Sequence, residues 1–142
     1  MTKEEAKNTI LELLYKTKQV IPSQLQPDLP PGKYSGKQPE WYSFEHTVWG
    51  MGEKIRQIFV EYKALQKDTD ILDEIIKICT NPNAKRGRQS FIMLLGYKHC
   101  FTYGDKLITQ INDCGVYGHV IYTLLKMRAY NFTKEIKPFL NN

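Results

Sequence analysis

Cysteine, long apolar runs and recognisable catalytic motifs are all scarce in this 142-residue chain. Its three cysteines, Cys79, Cys100 and Cys114, are odd in number and widely spaced, which excludes a disulfide framework as the source of stability. No stretch approaches the roughly 20 apolar residues of a membrane-spanning helix. Thr2-Lys3-Glu4-Glu5 at the start leads into no apolar signal segment. Free thiols without such a segment predict a cytoplasmic protein with no membrane partner. Phosphate-binding and dinucleotide-binding glycine loops are absent, as is a His-Glu-x-x-His zinc site. His99-Cys100 adjoin, but no further Cys or His stands close enough in sequence to complete a zinc signature. The sequence therefore implies neither a metal nor a cofactor.

What is present fits one domain, residues 1–142. With 42% hydrophobic and 25% charged residues, the chain has the material for a core and is not compositionally disordered. Twenty Lys and Arg against 15 Asp and Glu give a net charge of +5, a field that steers anionic partners without distinguishing an acidic protein from a nucleic acid.

Helical periodicity dominates. Thr2 and Glu5 have capping-box spacing before Ala6, Ile10, Leu13 and Leu14, predicting a helix over 2–19. Residues 21–40 hold five of the seven prolines and predict an irregular arm. The stretch 44–66 carries Trp49, Ile55, Ile58, Phe59 and Tyr62 as an apolar stripe, with Gly50 and Gly52 weakening it or admitting a neighbouring backbone. Thr69 or Asp70 is the expected cap of a buried helix over 70–79. Further helices are expected at 84–95, stopped by Gly96, at 116–129, and at 133–140, with 97–105 as a connector. Cys79 and Cys114 border apolar segments and read as small buried hydrophobes.

The later segments repeat. A shift of thirty positions superposes Phe91 on Ile121, Leu94 on Leu124, Leu95 on Leu125 and Ala84 on Cys114. Units of this kind bury a continuous core only when stacked. The run from Leu107 to Met127, followed by Ile136-Lys137-Pro138-Phe139-Leu140, resembles HEAT-type helical repeats. Asp113 and Val116 match that family's turn, and Pro138 and Leu140 its second helix. Tyr117 and Gly118 stand where an Arg is usual. The resemblance implies an all-α fold of stacked antiparallel helix pairs, a short superhelix over 41–142, preceded by an N-terminal helix (1–20) and the proline-rich arm (21–40).

The most distinctive polar group is Lys85-Arg86-x-Arg88-Gln89, expected at the start of the 84–95 helix. A helix N-terminus favours anions, but its dipole disfavours cations there. Asp105, Asp113 or a partner's carboxylate is expected to compensate. Lys85, Arg86, Arg88, Gln89 and His119 are thus the candidate protein- or anion-binding residues. Tyr117, Lys126 and Arg128, with Tyr122 and Tyr130, form a candidate accessory surface where cations meet aromatics.

These residues point first to a non-catalytic protein-binding module. Some small helical-repeat proteins resemble inhibitory or immunity-type proteins, and an acidic partner suits the charge. The alternative is a nucleic-acid-binding protein, with HEAT-like DNA repair enzymes as the analogy and Lys98 and Lys106 as further phosphate contacts. A small hydrolase using His99 or His119 is a third reading, with no coherent catalytic constellation behind it. Glu40, Glu45, Glu53 and Glu61 are selected for acid–base work by no spacing. No pattern specifies an oligomeric state.

Overall fold

The computed structural model describes residues 1–34 and 36–140. Ser35 in the arm, and Asn141 and Asn142 at the end of the expected stack, lie outside the described residues. The protein is all-α. Its α-helices are α1 (Lys3–Val20), α2 (Ser43–Glu61), α3 (Thr69–Cys79), α4 (Gln89–Met93), α5 (Gly104–Leu107), α6 (Tyr117–Lys126) and α7 (Thr133–Leu140). Short 3-10 segments link several of them. Among the described residues there is no strand, only an isolated antiparallel bridge between Pro31 and Pro39. Among the described residues no helix is long and apolar enough to cross a membrane.

α1 begins at the expected capping box: the Glu5 N–H donates to Thr2 Oγ1 at 3.1 Å, and the Thr2 N–H to Glu5 Oε1 at 3.4 Å. Ala6, Ile10, Leu14 and Thr17 form its buried face. The helix stops at Ile21, extended as the residue before a proline must be. The arm separates α1 from the remaining helices in sequence but not in space, because α1 packs on both α2 and α3. Lys7 ties it to Asp68 and Asp70 at 3.0 and 2.9 Å.

α2 buries Glu45, Val48, Gly52, Ile55 and Phe59. Trp49 was expected in that stripe but lies one step round the helix and is 40% exposed. The helix ends at Glu61 rather than running to 66, because Tyr62 takes φ −122° and ψ 68° and the chain continues as a 3-10 segment, Lys63–Lys67. Of the two glycines, Gly52 admits a neighbour. A Cβ there would stand 2.1 Å from Ser90 Oγ on α4, whereas one on Gly50 would meet nothing within 4 Å. α3 is capped by Asp68, whose carboxylate accepts from the Ile71 N–H at 3.2 Å, and not by Thr69 or Asp70. Its apolar residues Ile71, Leu72, Ile75, Ile76 and Ile78, with Cys79, are all buried as expected.

The expected helix over 84–95 is broken. Residues Pro82–Arg88 form a 3-10 segment kinked at Lys85, which has φ 51° and ψ −134°, and only Gln89–Met93 is α-helical. Lys85 and Arg86 therefore lie in a bent turn ahead of the helix, and of the three cations Arg88 alone stands at its N-cap. The expected connector is itself largely helical, comprising Lys98–Tyr103 as a 3-10 segment and then α5. The final helix has the expected limits.

α4 packs against α2, α3 and α6. Phe91, Leu94, Ile121 and Leu124, two of the pairs related by the thirty-residue shift, all enter the core. Leu95 is buried whereas Leu125 is 48% exposed. The difference arises because α6 continues through Leu125 on its outer face, while the chain turns after Met93 and folds Leu95 inward. Ala84 is buried, but Cys114 is exposed, contrary to its reading as a core residue.

Candidate functional site

The turn before α4 organises the site. Asn81 starts it by accepting the Asn83 N–H on its side chain at 3.0 Å, and Pro82 fits the first position. The turn then lies against the N-terminal part of α2. A Cβ on Gly87 would stand 2.7 Å from the Glu45 carbonyl oxygen, so only glycine allows this approach. Glu45, with no solvent exposure, uses both carboxylate oxygens: Oε1 accepts the Tyr42 N–H and Oε2 the Arg86 N–H, each at 2.9 Å. Arg86 Nε stands 3.5 Å from the same Oε2.

From this anchor three cations diverge. Lys85 Nζ donates to Asp28 Oδ1 at 2.6 Å and to the Gln26 carbonyl at 3.1 Å. Its ammonium group holds the Asp28 carboxyl below the usual carboxylate range. Arg86 Nη2 donates to the carbonyls of Pro39 and Glu40 at 2.8 and 2.9 Å. The Arg86 guanidinium lies 5.1 Å from the centre of the Trp41 ring, which also stacks with His46. Lys85 and Arg86 thereby fasten the two ends of the arm to the helical body.

Arg88 turns inward and its side chain has no solvent exposure. It pairs with Asp113 and donates to Gln110 Oε1 at 2.8 Å, to the Lys85 carbonyl at 3.1 Å and to the Cys79 carbonyl at 3.4 Å. Burial pulls its pKa down, and Asp113 opposes that shift. The expected compensation by Asp113 is thus found at Arg88, while Asp28 and Glu45 compensate Lys85 and Arg86. Asp113 also accepts the Gly115 N–H at 2.9 Å, and Gln89 Nε2 donates to the Gly115 carbonyl at the same distance. These bonds lock the turn before α6 to the turn before α4.

The arrangement leaves an open cleft of about 510 Å³ between the arm, the 82–88 turn and the start of α6. Of the expected site residues, Lys85, Arg86, Gln89, Tyr117 and His119 line it. Arg88 braces the wall from beneath. Lys126 and Arg128 are outside the lining. Lys126 Nζ sits 5.6 Å over the Tyr122 ring on the outer part of α6, and Arg128 ends that helix at φ 57°. Tyr117 is 41% exposed and packs near Phe139. His119 is half-buried, and burial lowers its pKa, which favours the neutral ring.

Sequence reasoning passed over Asp28, Trp41 and Glu45. The spacing of Tyr42 and Glu45 is a capping signal, but nothing in it points to Arg86. The other titratable candidates disperse: His99 Nε2 lies 2.8 Å from the Gln66 carbonyl, while the adjacent Cys100 is buried and its thiol is pushed up to about 11. Among the described residues no three His, Cys, Asp or Glu side chains gather where a metal ion would be held. Comparison with family models, curated proteins and solved structures finds no match for this chain.

Proposed function

We propose that this chain is a non-catalytic protein-binding module of the inhibitory or accessory kind, built on HEAT-like stacked helix pairs, that takes an acidic partner at the cleft between the arm and α6. The observation that carries this reading is the convergence of Trp41, Arg86, Tyr117 and His119 on that one open cleft. Aromatic rings and guanidinium groups held in place supply much of the energy of protein interfaces. Arg86 is held because Glu45 and Gly87 fix the turn that presents it, and Arg88 ties that turn through Asp113 to the turn before α6.

The distribution of charge supports an acidic partner. Residues 1–79 hold 11 Lys and Arg against 12 Asp and Glu, while residues 80–142 hold nine against three. The surplus therefore lies in the half that carries α4 and α6. The order of elements supports the repeat reading. Each of the stretches 82–107 and 111–140 runs through a turn or 3-10 segment, a helix, a 3-10 segment and a second helix.

The test is capture by the immobilised full chain from extract of its source cell, with native mass spectrometry of the eluate. One partner of negative net charge, at fixed stoichiometry, is expected. The double variant Tyr117→Ala with His119→Ala should lose it while keeping native circular dichroism. Undiminished capture by the folded double variant refutes the cleft as the binding surface.

A second reading, a nucleic-acid-binding protein, rests on a different observation. Lys98, Lys106, Lys126, Arg128, Lys134 and Lys137 are exposed and form no ion pair among the described residues. Duplex or single-strand binding that weakens steeply with salt is expected on that reading. No binding at low ionic strength removes it.

A further inference from the structure

We infer that Asp28 occupies, in the free protein, the place that a carboxylate of the acidic partner takes at Lys85, so that the arm is a built-in competitor which binding displaces. The inference rests on the protein-binding reading of the cleft and names what recognises the partner there.

The ion pair is asymmetric. The Lys85 side chain is only 12% exposed, whereas Asp28 is 65% exposed. The cation is therefore held in the wall, and the carboxylate approaches it from the solvent side. An incoming carboxylate needs no movement of Lys85, only departure of Asp28. Lys85 has three ammonium donors, of which Asp28 and the Gln26 carbonyl engage two.

The chain strains to place this lysine. Lys85 adopts φ 51°, a region costly for a residue with a Cβ, while its ammonium group faces the arm. Backbone strain of this kind is kept where the surrounding contacts over-determine it, and here Glu45, Gly87 and the Arg88 bond to the Lys85 carbonyl do so. The backbone that carries the lysine is fixed independently of the arm.

The arm, by contrast, is held lightly. No described residue from 22 to 40 is buried. Its first half is attached through single polar bonds: Asn83 to the Pro22 carbonyl, Lys85 to Gln26 and Asp28, and the Tyr42 hydroxyl to the Pro27 carbonyl. Releasing it forfeits no core packing. Its prolines keep the released chain extended and so limit its collapse back onto the body. The far end stays fastened by Arg86 and by the Pro31–Pro39 bridge, which confines the motion to the stretch before residue 31. The Lys85 hydrogen bond holds the Asp28 carboxyl below its ordinary range, so the position already favours a carboxylate.

The experiment is an NMR titration of the ¹⁵N-labelled full chain with an N-acetylated octapeptide of alternating Asp and Glu, and separately with an octathymidylate oligonucleotide. The peptide should shift the amides of Tyr117 and His119 together with those of Gln24 to Leu29. Asp28→Asn should bind it about tenfold more tightly, because the apparent affinity of a site is reduced by the fraction of chains in which it is occupied. Lys85→Gln should abolish that gain when combined with Asp28→Asn. If the peptide shifts Tyr117 and His119 but Asp28→Asn binds no more tightly, or the arm amides stay still, the competitor is refuted and the cleft reading survives. If the peptide moves no cleft amide in any chain, the acidic-partner reading falls and the inference with it. Cleft shifts caused by the oligonucleotide alone overturn the inference in favour of a phosphate backbone. Asp28→Asn is a surface substitution in the arm and decides the outcome even if Lys85→Gln fails to fold.

Discussion

Glu45 and Arg86 lie 41 positions apart in sequence, and the buried Glu45 carboxylate accepts the Arg86 backbone N–H at 2.9 Å. The other oxygen of that carboxylate caps α2 through Tyr42. One side chain thus fixes both the start of a helix and the turn that carries the cleft's cations. Glu45→Ala should lower the unfolding free energy by about 2–4 kcal/mol, because it leaves the Tyr42 and Arg86 backbone N–H groups without their acceptor. Urea denaturation measures this. Glu45→Gln retains an acceptor and should cost clearly less, so an equal loss from both variants contradicts the hydrogen-bonding role.

Arg88 and Asp113 make a second pair, in which the guanidinium has no solvent exposure. Asp113→Ala should destabilise by about 3 kcal/mol or more, since it strands a buried cation. Replacing both partners, with Arg88→Met added, should recover most of that loss, because an apolar side chain of similar length carries no charge to desolvate. A double-mutant cycle from denaturant melts gives the coupling. Additive effects would show that the two side chains do not act as a pair.

His119 gives a pH dependence with a definite sign. Burial lowers its folded-state pKa below the ordinary 6.5. The unfolded chain therefore binds this proton more readily, and stability contributed by the neutral ring is full above 6.5 and declines as pH falls towards the folded value. His119→Gln should remove that part of the slope. An unchanged pH profile of thermal unfolding in the variant would contradict the shift.

Helix α6 ends with the Ala129 N–H donating to the Leu124 carbonyl at 2.9 Å and the Arg128 N–H to the Leu125 carbonyl at 3.1 Å. This is the Schellman arrangement, with arginine in the left-handed position that glycine usually fills. Arg128→Gly should stabilise by about 0.5 kcal/mol, as left-handed strain of roughly 1–2 kcal/mol is released against roughly 0.5–1 kcal/mol of added chain entropy. Arg128→Val should destabilise. Thermal melts of the two variants moving in the same direction would refute the account.

The thiols should divide in labelling. Cys79 and Cys100 have no solvent exposure, and burial raises both thiol pKa values, while Cys114 is exposed in the cleft. One thiol per native chain should react promptly with Ellman's reagent, and the other two only as the protein opens. Prompt reaction in Cys114→Ser would contradict this placement.

Local signals carried much of the helical framework. The capping box at Thr2 and Glu5, the apolar run from Ile71 to Ile78 and the limits of α7 depend on residues within a turn or two of each other, so the sequence displays them directly. The break at Lys85 had no such signal. A non-glycine residue is held at positive φ by Glu45 from α2 and by the close approach at Gly87, and those contacts exist only once α2 lies across the turn. The basic group was visible, but its pairing was not: the partners of Lys85, Arg86 and Arg88 stand 57, 41 and 25 positions away.

An all-α chain interrupted by an irregular arm is legible in the amino-acid order alone, because hydrophobic period and proline content act over short distances. Long-range packing is what buries Arg88, fastens the arm through Lys85 and Arg86, and brings Trp41, Tyr117 and His119 to one cleft. Charge alone cannot settle such a matter: a cation becomes a brace or a surface contact according to which carboxylate the packed helices bring within reach.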